Sequence, residues 1–421
     1  MSAADRASHL DSLVAEQLAT PSCMPRELTS QPWWAQSLAC GALGIALLHI
    51  ERAATGDGPW QRARDWMNAA TREPVTTGTD SHLFHGAPAM AYVLSRAAGQ
   101  VGSQRTLTLL NQAVTRQAED RLGRARERLE NGLLPEMAEF DLMRGLTGFG
   151  AWFLHHDPAN STLRGILLYL MRLAGPVTFN GMTVPGWWTT VSPSGRHTVR
   201  FVGGHANLGV AHGIGGPLAL LSLAARRGII ADGQLAAISQ ICGWLRRWHT
   251  ADPAQPAWPY WISLPAWRER ELPQCWPQRL GWCYGTAGLA RAVQLAAIAT
   301  GDQALRVMAE DTLVTALASP ANQAATTGMS LCHGRAGLAR IALAAAVDAG
   351  SATGPRMRAL ARELIGTIVA PGSESPAVAG DGLAYGSTGP GFLDGAAGVG
   401  LTMLADRTQT CSGWDACLLI T

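Results

Sequence analysis

Apolar positions along this chain fall into two kinds of segment, which alternate. The first kind is apolar almost all round: ALGIALLHIERAA after Gly41, TAGLARAVQLAAIA after Gly285 and RAGLARIALAAAVDA after Gly334. Segments this rich in Ala and Leu predict buried helices. The second kind sets Arg, Glu and Asp against Leu, Ile and Val at helical spacing. It includes WQRARDWMNAATRE, the stretch from Thr106 to Glu130, GQLAAISQICGWLRRW, QALRVMAEDTLVTALA and PRMRALARELIGTIVA. These predict amphipathic helices that form an outer layer.

The alternation is a repeat. A Gly-x-x-Gly opens each apolar segment, with first glycines at 41, 145, 213, 285, 334 and 395, and a degraded copy runs from Gly86 to Ala89. Each interval has room for two helices. Seven inner and seven outer helices predict an all-α protein, an α/α toroid, with residues 1–421 forming one domain because no single pair buries its own face. Glycine suits the helix starts, where a loop must approach a crowded axis closely.

One stretch breaks the helical period. Over residues 177–204, Val, Thr and Trp alternate with Gly, Pro and Ser, which predicts a small β-rich insertion between the third and fourth repeats. A second Pro/Trp-rich loop runs from about Ala251 to Gln278, and Trp248, Trp258, Trp261, Trp267 and Trp276 lie in or beside it. Long loops of this composition are ordered and often line a site.

Composition narrows the function. The chain is 47% hydrophobic and 15% charged, with net charge +2 from 33 basic and 31 acidic residues. That supports a large core and gives no field to attract nucleic acid. The N-terminal residues lack the apolar core of a signal peptide, and no apolar run is long enough to span a bilayer. The expected compartment is the cytoplasm. The eight cysteines, at 23, 40, 242, 275, 283, 332, 411 and 417, are then expected to be reduced, and most of them to be small buried hydrophobes.

Chemistry is expected just before each glycine, because equivalent loops cluster at one end of a ring. The two residues preceding the first glycine are Ala-Cys, Phe-His, Met-Arg, Ala-His, Cys-Tyr, Cys-His and Leu-Asp in successive repeats. The fifth and sixth repeats supply Cys283, Cys332 and His333. Two thiolates and an imidazole form a three-ligand Zn²⁺ set with an open fourth position, the pattern of a catalytic site. The spacing alone also suits two buried cysteines at helix starts, but the repeat makes the three residues neighbours. Such a donor set suits activation of a thiol, since two thiolate ligands put negative charge on the metal. His212 holds the matching position in the fourth repeat, which also suits a core histidine. Asp141 lies four residues before its glycine, where an N-cap carboxylate is common. Arg279 could be a surface arginine and Tyr284 could simply pack. Asp394 and His85 also match the repeat position and are read as structural.

Together these motifs resemble the LanC family, the lanthionine synthetase C-like cyclases. The resemblance rests on Gly204-His-Ala-Asn-Leu-Gly-Val-Ala-His-Gly-Ile-Gly-Gly216, Gly281-Trp-Cys-Tyr-Gly-Thr-Ala-Gly288 and Leu331-Cys-His-Gly-Arg-Ala-Gly337, with Pro185-Gly-Trp-Trp188 and Trp414-Asp415 in support. It covers essentially the whole chain. One departure is Ala287, where many members have Pro. The resemblance implies one zinc per chain on Cys283, Cys332 and His333, and catalytic roles for His212, Asp141, Arg279 and Tyr284. It implies addition of peptide Cys thiols to dehydroalanine or dehydrobutyrine, forming thioether rings in a dehydrated precursor peptide that carries a leader. It also admits a dehydratase and a transporter as partners, and through them a peripheral place at the membrane. Two competing readings are a related zinc enzyme that adds glutathione or another thiol to dehydrated residues, and a non-catalytic peptide-binding scaffold. Toroid terpene cyclases need aspartate-rich motifs, and the chain has no Asp-Asp pair. A toroid glycosidase would leave the Cys-His pattern unexplained.

Overall fold

The computed structural model describes residues 3–250, 252, 254–272, 276–369, 389–407 and 410–421. Cys275, part of the Pro/Trp-rich loop, and Ala370, at the end of the last amphipathic segment, lie outside the described residues. Among the described residues, fourteen helices are ten residues or longer. They are α1 (Ala3–Gln17), α2 (Ala42–Ala54), α3 (Trp60–Ala70), α4 (Ala87–Arg96), α5 (Gln104–Glu130), α6 (Leu146–His156), α7 (Ser161–Ala174), α8 (Gly215–Arg226), α9 (Gln234–Arg247), α10 (Thr286–Thr300), α11 (Gln303–Ala318), α12 (Arg335–Asp348), α13 (Thr353–Ile368) and α14 (Ala396–Arg407). None is long and apolar enough to cross a membrane.

The seven even-numbered helices start at the seven glycine motifs, and they are the apolar ones. Ile45, Leu47, Leu48 and Ile50 of α2 are all fully buried. Each such side chain stabilises the fold by about 1.5–3 kcal/mol relative to exposure. A helix sealed in this way needs no polar face, which is why the amphipathic period is missing from these segments.

The chain packs as two compact units. One comprises Met1–Gln117, Thr327–Leu343 and Arg358–Asp415; the other comprises Ala118–Thr326, Ala344–Met357 and Ala416–Thr421. In the first unit, α14, α2 and α4 pack side by side, with α1 against α14 and α3 against α2. In the second, α6, α8 and α10 pack side by side, and α7, α9 and α11 cover them. The expectation that an amphipathic helix follows every apolar one fails at α14. Among the described residues after it there is only a short turn, Ala416–Leu418, and the covering helix is α1 from the other end of the sequence. Helix α14 still has to bury its apolar surface, and the N-terminal helix is the element available.

The two layers begin their helices differently. Two of the second-layer helices use side-chain caps: Asn160 accepts from the Thr162 N–H at 2.9 Å, and Asp302 from the Leu305 N–H at 2.9 Å. The motif helices use the backbone of the loop before them. Arg335, Ala336 and Gly337 donate to the carbonyls of Gly328, Met329 and Ser330, and Ala396 and Ala397 donate to Gly389 and Pro390. These bonds satisfy the first-turn donors that a helix leaves open. They also force the loop to fold back onto the helix end. A Cβ on Gly337 would lie 1.9 Å from the Leu331 carbonyl oxygen, and one on Gly288 would lie 2.2 Å from that of Trp282. No side chain fits there. The contacted residues, Leu331 and Trp282, immediately precede Cys332 and Cys283, so the glycines set where the two thiols stand.

The irregular stretches form two small sheets. Strands β1 (Pro176–Phe179) and β2 (Met182–Pro185) make a hairpin whose turn, Asn180-Gly181, has both residues at positive φ, as a two-residue turn between twisted strands requires. Strand β3 (His205–Asn207) pairs antiparallel with β4 (Trp261–Ser263), and Thr189 bridges to His205. The insertion and the Pro/Trp-rich loop are therefore joined by backbone pairing, which neither segment signals alone.

Candidate active site

The loops at the motif-helix starts hold the candidate residues, and backbone hydrogen bonds link successive loops. In the first unit, Cys332 N–H donates to Leu393 O at 2.9 Å, Leu393 N–H to Ala39 O at 2.8 Å, and Leu38 N–H to Phe84 O at 3.0 Å. In the second, Leu142 N–H donates to Ala211 O at 3.1 Å, and Val210 and Ala211 N–H donate to Cys283 O at 3.0 and 3.2 Å. Loop amides outside any sheet are thus paired rather than left buried and open. The same bonds fix the neighbouring side chains.

Cys283 is buried, while Cys332 and His333 are half-buried. The loop carrying Cys283 is held at several points. Leu280 N–H donates to Thr326 Oγ1 at 3.0 Å, and the Trp282 indole donates to Leu418 O at 2.9 Å. One ligand atom each from Cys283, Cys332 and His333 lies within 4.8 Å of the other two. Ligands about 2.0–2.3 Å from a tetrahedral zinc stand roughly 3.3–3.8 Å apart, so this cluster suits a metal of that size. Two soft thiolate donors and an imidazole fit zinc, and they fit poorly to the hard oxygen-seeking cations. Cys40 holds the position in its repeat that His333 holds in its own. Burial, reinforced by the Asp394 carboxylate, pushes its thiol up to about 11, so it remains protonated near neutral pH and makes a poor ligand.

His333 Nδ1 lies 3.5 Å from Asp394 Oδ1, an oxygen that is buried and accepts no hydrogen bond among the described residues. A carboxylate at Nδ1 is the usual device for orienting a metal-binding imidazole through its other nitrogen. Asp394, which the sequence reads as structural, stands beside this imidazole.

Asp141 and His212 meet directly. Asp141 is 1% exposed. Its Oδ1 accepts from the Arg144 and Gly145 N–H groups at 2.6 and 2.8 Å, and its Oδ2 pairs with His212 Nδ1 at 2.6 Å. One Asp141 oxygen thus acts as the helix-start carboxylate, and the other is engaged by His212. With Nδ1 engaged, Nε2 is the nitrogen left to exchange a proton. The His212 ring lies 6.3 Å from that of Tyr284.

The Tyr284 hydroxyl accepts from Asn207 Nδ2 at 3.0 Å, and Asn207 Oδ1 accepts from the Gly209 N–H at 3.0 Å. The tyrosine also stands edge-on to Tyr260 and Trp261, at 5.9 and 6.4 Å between ring centres. Arg279 is exposed, and its carbonyl accepts from the Tyr260 hydroxyl at 2.7 Å. Gln278 beside it is 5% exposed and fully engaged: its side chain receives the Thr286 N–H and hydroxyl and donates to Trp258 O. Sequence reasoning missed Asn207, Tyr260 and Gln278 as positioning groups. Asn207 lies inside a motif already singled out by its glycines, whereas Gln278 carries no periodic signal.

The cysteine expectation holds in part. Of the seven described cysteines, only Cys242, Cys283 and Cys417 are buried, and Cys23 and Cys411 are exposed. Both exposed residues sit outside the motif helices, where nothing seals them.

The family model for lanthionine synthetase C-like protein matches residues 32–419. Among solved structures the chain is similar to nisin cyclase, with a TM-score of 0.74 and 18% identity, over 98% of this chain and 97% of that one. At that identity the likeness speaks for the fold, an α/α toroid. No curated protein matches the chain in sequence.

Proposed function

The chain belongs to the lanthionine synthetase C-like family, and on that premise we propose that it is a zinc-dependent lanthionine cyclase, with residues 1–421 acting as one domain. One observation carries the reading. Ala211 and Val210 donate to the carbonyl of Cys283, so the histidine of the Asp141–His212 pair follows directly from a loop tied to a thiol of the metal-type cluster.

Cys283, Cys332 and His333 would hold one Zn²⁺. When bound, zinc supplies positive charge that favours the thiolate form of a substrate cysteine over the thiol. The reaction joins that sulfur to the β-carbon of a dehydroalanine or dehydrobutyrine in the same peptide. The thiol releases its proton to solvent, the π electrons move toward the α-carbon and its carbonyl oxygen, and the α-carbon then takes a proton, so the addition is proton-neutral overall. His212 gives that proton from Nε2, and Asp141 at Nδ1 stabilises the charged imidazole and fixes its orientation. The Arg279 guanidinium stabilises the charge on the carbonyl oxygen. Tyr284, held by Asn207, supports the reacting group by hydrogen bonding. Binding both ends of the future ring together also raises their effective concentration. The substrate is a dehydrated precursor peptide with a leader, made and consumed in the cytoplasm, with a dehydratase and a transporter as candidate partners.

The test uses a synthetic peptide with one dehydroalanine and one cysteine, and counts unreacted thiols with iodoacetamide. Thiols should disappear with the wild type and persist with His212→Ala, which should keep its metal. Ring closure by His212→Ala would remove the assigned acid. Efficient transfer of free glutathione to a cysteine-free dehydrated peptide, without ring closure, would favour the glutathione-adding reading.

A further inference from the structure

A cavity of about 560 Å³ lies in the second unit, lined by Thr183, Trp244, Arg247, Trp248, Trp267 and Arg270. Its size falls in the range of small-ligand sites. The walls come from the β1–β2 hairpin, from α9 and the residue after it, and from the short helix Leu264–Glu269 that follows β4. Trp267 ties these together. Its ring stands 5.5 Å from those of Trp188, Trp244 and Trp248, and its indole donates to Thr183 O at 3.1 Å.

The polar groups on this wall are of one kind. Trp248 is 8% exposed, and its buried indole N–H has no acceptor among the described residues. Arg247 lies over the Trp244 ring at 5.0 Å. Arg247 and Arg270 are exposed, and among the described residues neither forms an ion pair and no carboxylate lines the cavity. Two guanidinium groups and an orphaned indole N–H are donors that lack acceptors, and three indole faces surround them. The buried Trp248 N–H without an acceptor is costly, the two exposed guanidinium groups add positive charge beside it, and the group that suits all three is an anion with apolar neighbours.

We propose that this cavity is an exosite for an acidic side chain, Asp or Glu, and its adjoining apolar residues, in a segment of the peptide substrate outside the residues that react. The inference rests on the peptide-cyclase reading and names a second contact for the same substrate. The module fits that use. Strand β4, which leads into the short helix of the cavity wall, pairs with β3, and β3 carries the Asn207 that holds Tyr284.

The experiment uses the full-length protein and two synthetic peptides that lack both cysteine and dehydrated residues. One carries a Glu-Leu-Phe-Glu core, and its twin carries Gln in place of each Glu. Binding is read by tryptophan fluorescence and by anisotropy of a labelled peptide. The acidic peptide should bind saturably, and the Gln twin about tenfold more weakly, as loss of a charged hydrogen bond implies. Arg247→Ala and Arg270→Ala should each weaken the acidic peptide by about tenfold, and Trp248→Phe, which removes only the N–H, by severalfold. Metal content and thermal unfolding of the variants should match the wild type, which separates these losses from misfolding. Absence of saturable binding, equal binding of the two peptides, or indifference to the three substitutions would overturn the exosite. Ring closure on a reactive peptide that is indifferent to its acidic residues would count against the exosite alone. Acidic-peptide binding as described, with no thiol addition to any dehydrated peptide, would count against the cyclase reading alone.

Discussion

Replacing Asp141 in two ways separates its two oxygens. In Asp141→Asn the amide oxygen can still accept from the Arg144 and Gly145 N–H groups, now 2.6 and 2.8 Å from Oδ1. The other side-chain atom, however, becomes an NH₂ facing His212 Nδ1, where the carboxylate oxygen stood at 2.6 Å. A donor there forces Nδ1 to accept, which places the proton on Nε2 of a neutral ring and removes the anion that favours the imidazolium. The same substitution in a Ser-His-Asp triad costs about 10⁴ in rate; here a loss of roughly 10²–10⁴ in ring closure is expected, with stability near that of the wild type. Asp141→Ala deletes both backbone contacts as well. Hydrogen bonds to a charged group contribute about 1.5–3 kcal/mol each, so a loss of roughly 3–6 kcal/mol follows from the two backbone contacts. Thiol counting on the dehydroalanine peptide reads the rate, and urea unfolding reads the stability. Near wild-type ring closure by Asp141→Asn, or undiminished stability of Asp141→Ala, would refute the two-oxygen account.

Other outcomes follow from the same geometry. Asp394→Asn leaves the three ligands in place but removes the carboxylate 3.5 Å from His333 Nδ1; competition with a zinc chelator should show affinity reduced about 10- to 100-fold. Burial holds His49 and His205 neutral, with pKa values lowered to about 4 against about 6.5 in the unfolded chain. Below pH 6.5 the unfolded chain takes up protons that the folded one refuses, so stability is full above that pH and falls toward pH 4, by about 2 kcal/mol per histidine at pH 5. Urea unfolding at pH 7 and pH 5 should show that loss, and the pH 5 loss should shrink in His205→Gln.

Much of this was legible in the sequence, because the inner helices are built by local rules. Glycine at a fixed place, then an Ala- and Leu-rich run, gave the starts of α2, α10 and α12 to within a residue. The Cys283, Cys332 and His333 cluster was legible because the repeat puts the two cysteines at equivalent loop positions, with His333 beside Cys332. What escaped depends on distant pairing. The covering of α14 by α1 joins the two ends of the chain. The β3–β4 sheet joins segments more than fifty residues apart, and three-residue strands carry too little pattern to announce themselves. Asp394 looked idle because its partner, His333, belongs to the preceding repeat, and only the folded loops set it against Nδ1.

The central claim is a thiol-activating zinc centre on Cys283, Cys332 and His333. The most direct measurement is the metal content of the purified wild type by mass spectrometry beside a Cys332→Ala variant. The account predicts about one zinc per chain in the wild type and its loss in the variant. A freshly prepared wild type without zinc, or a variant that keeps it, would contradict the claim and leave a peptide-binding scaffold with the family's fold but not the proposed chemistry.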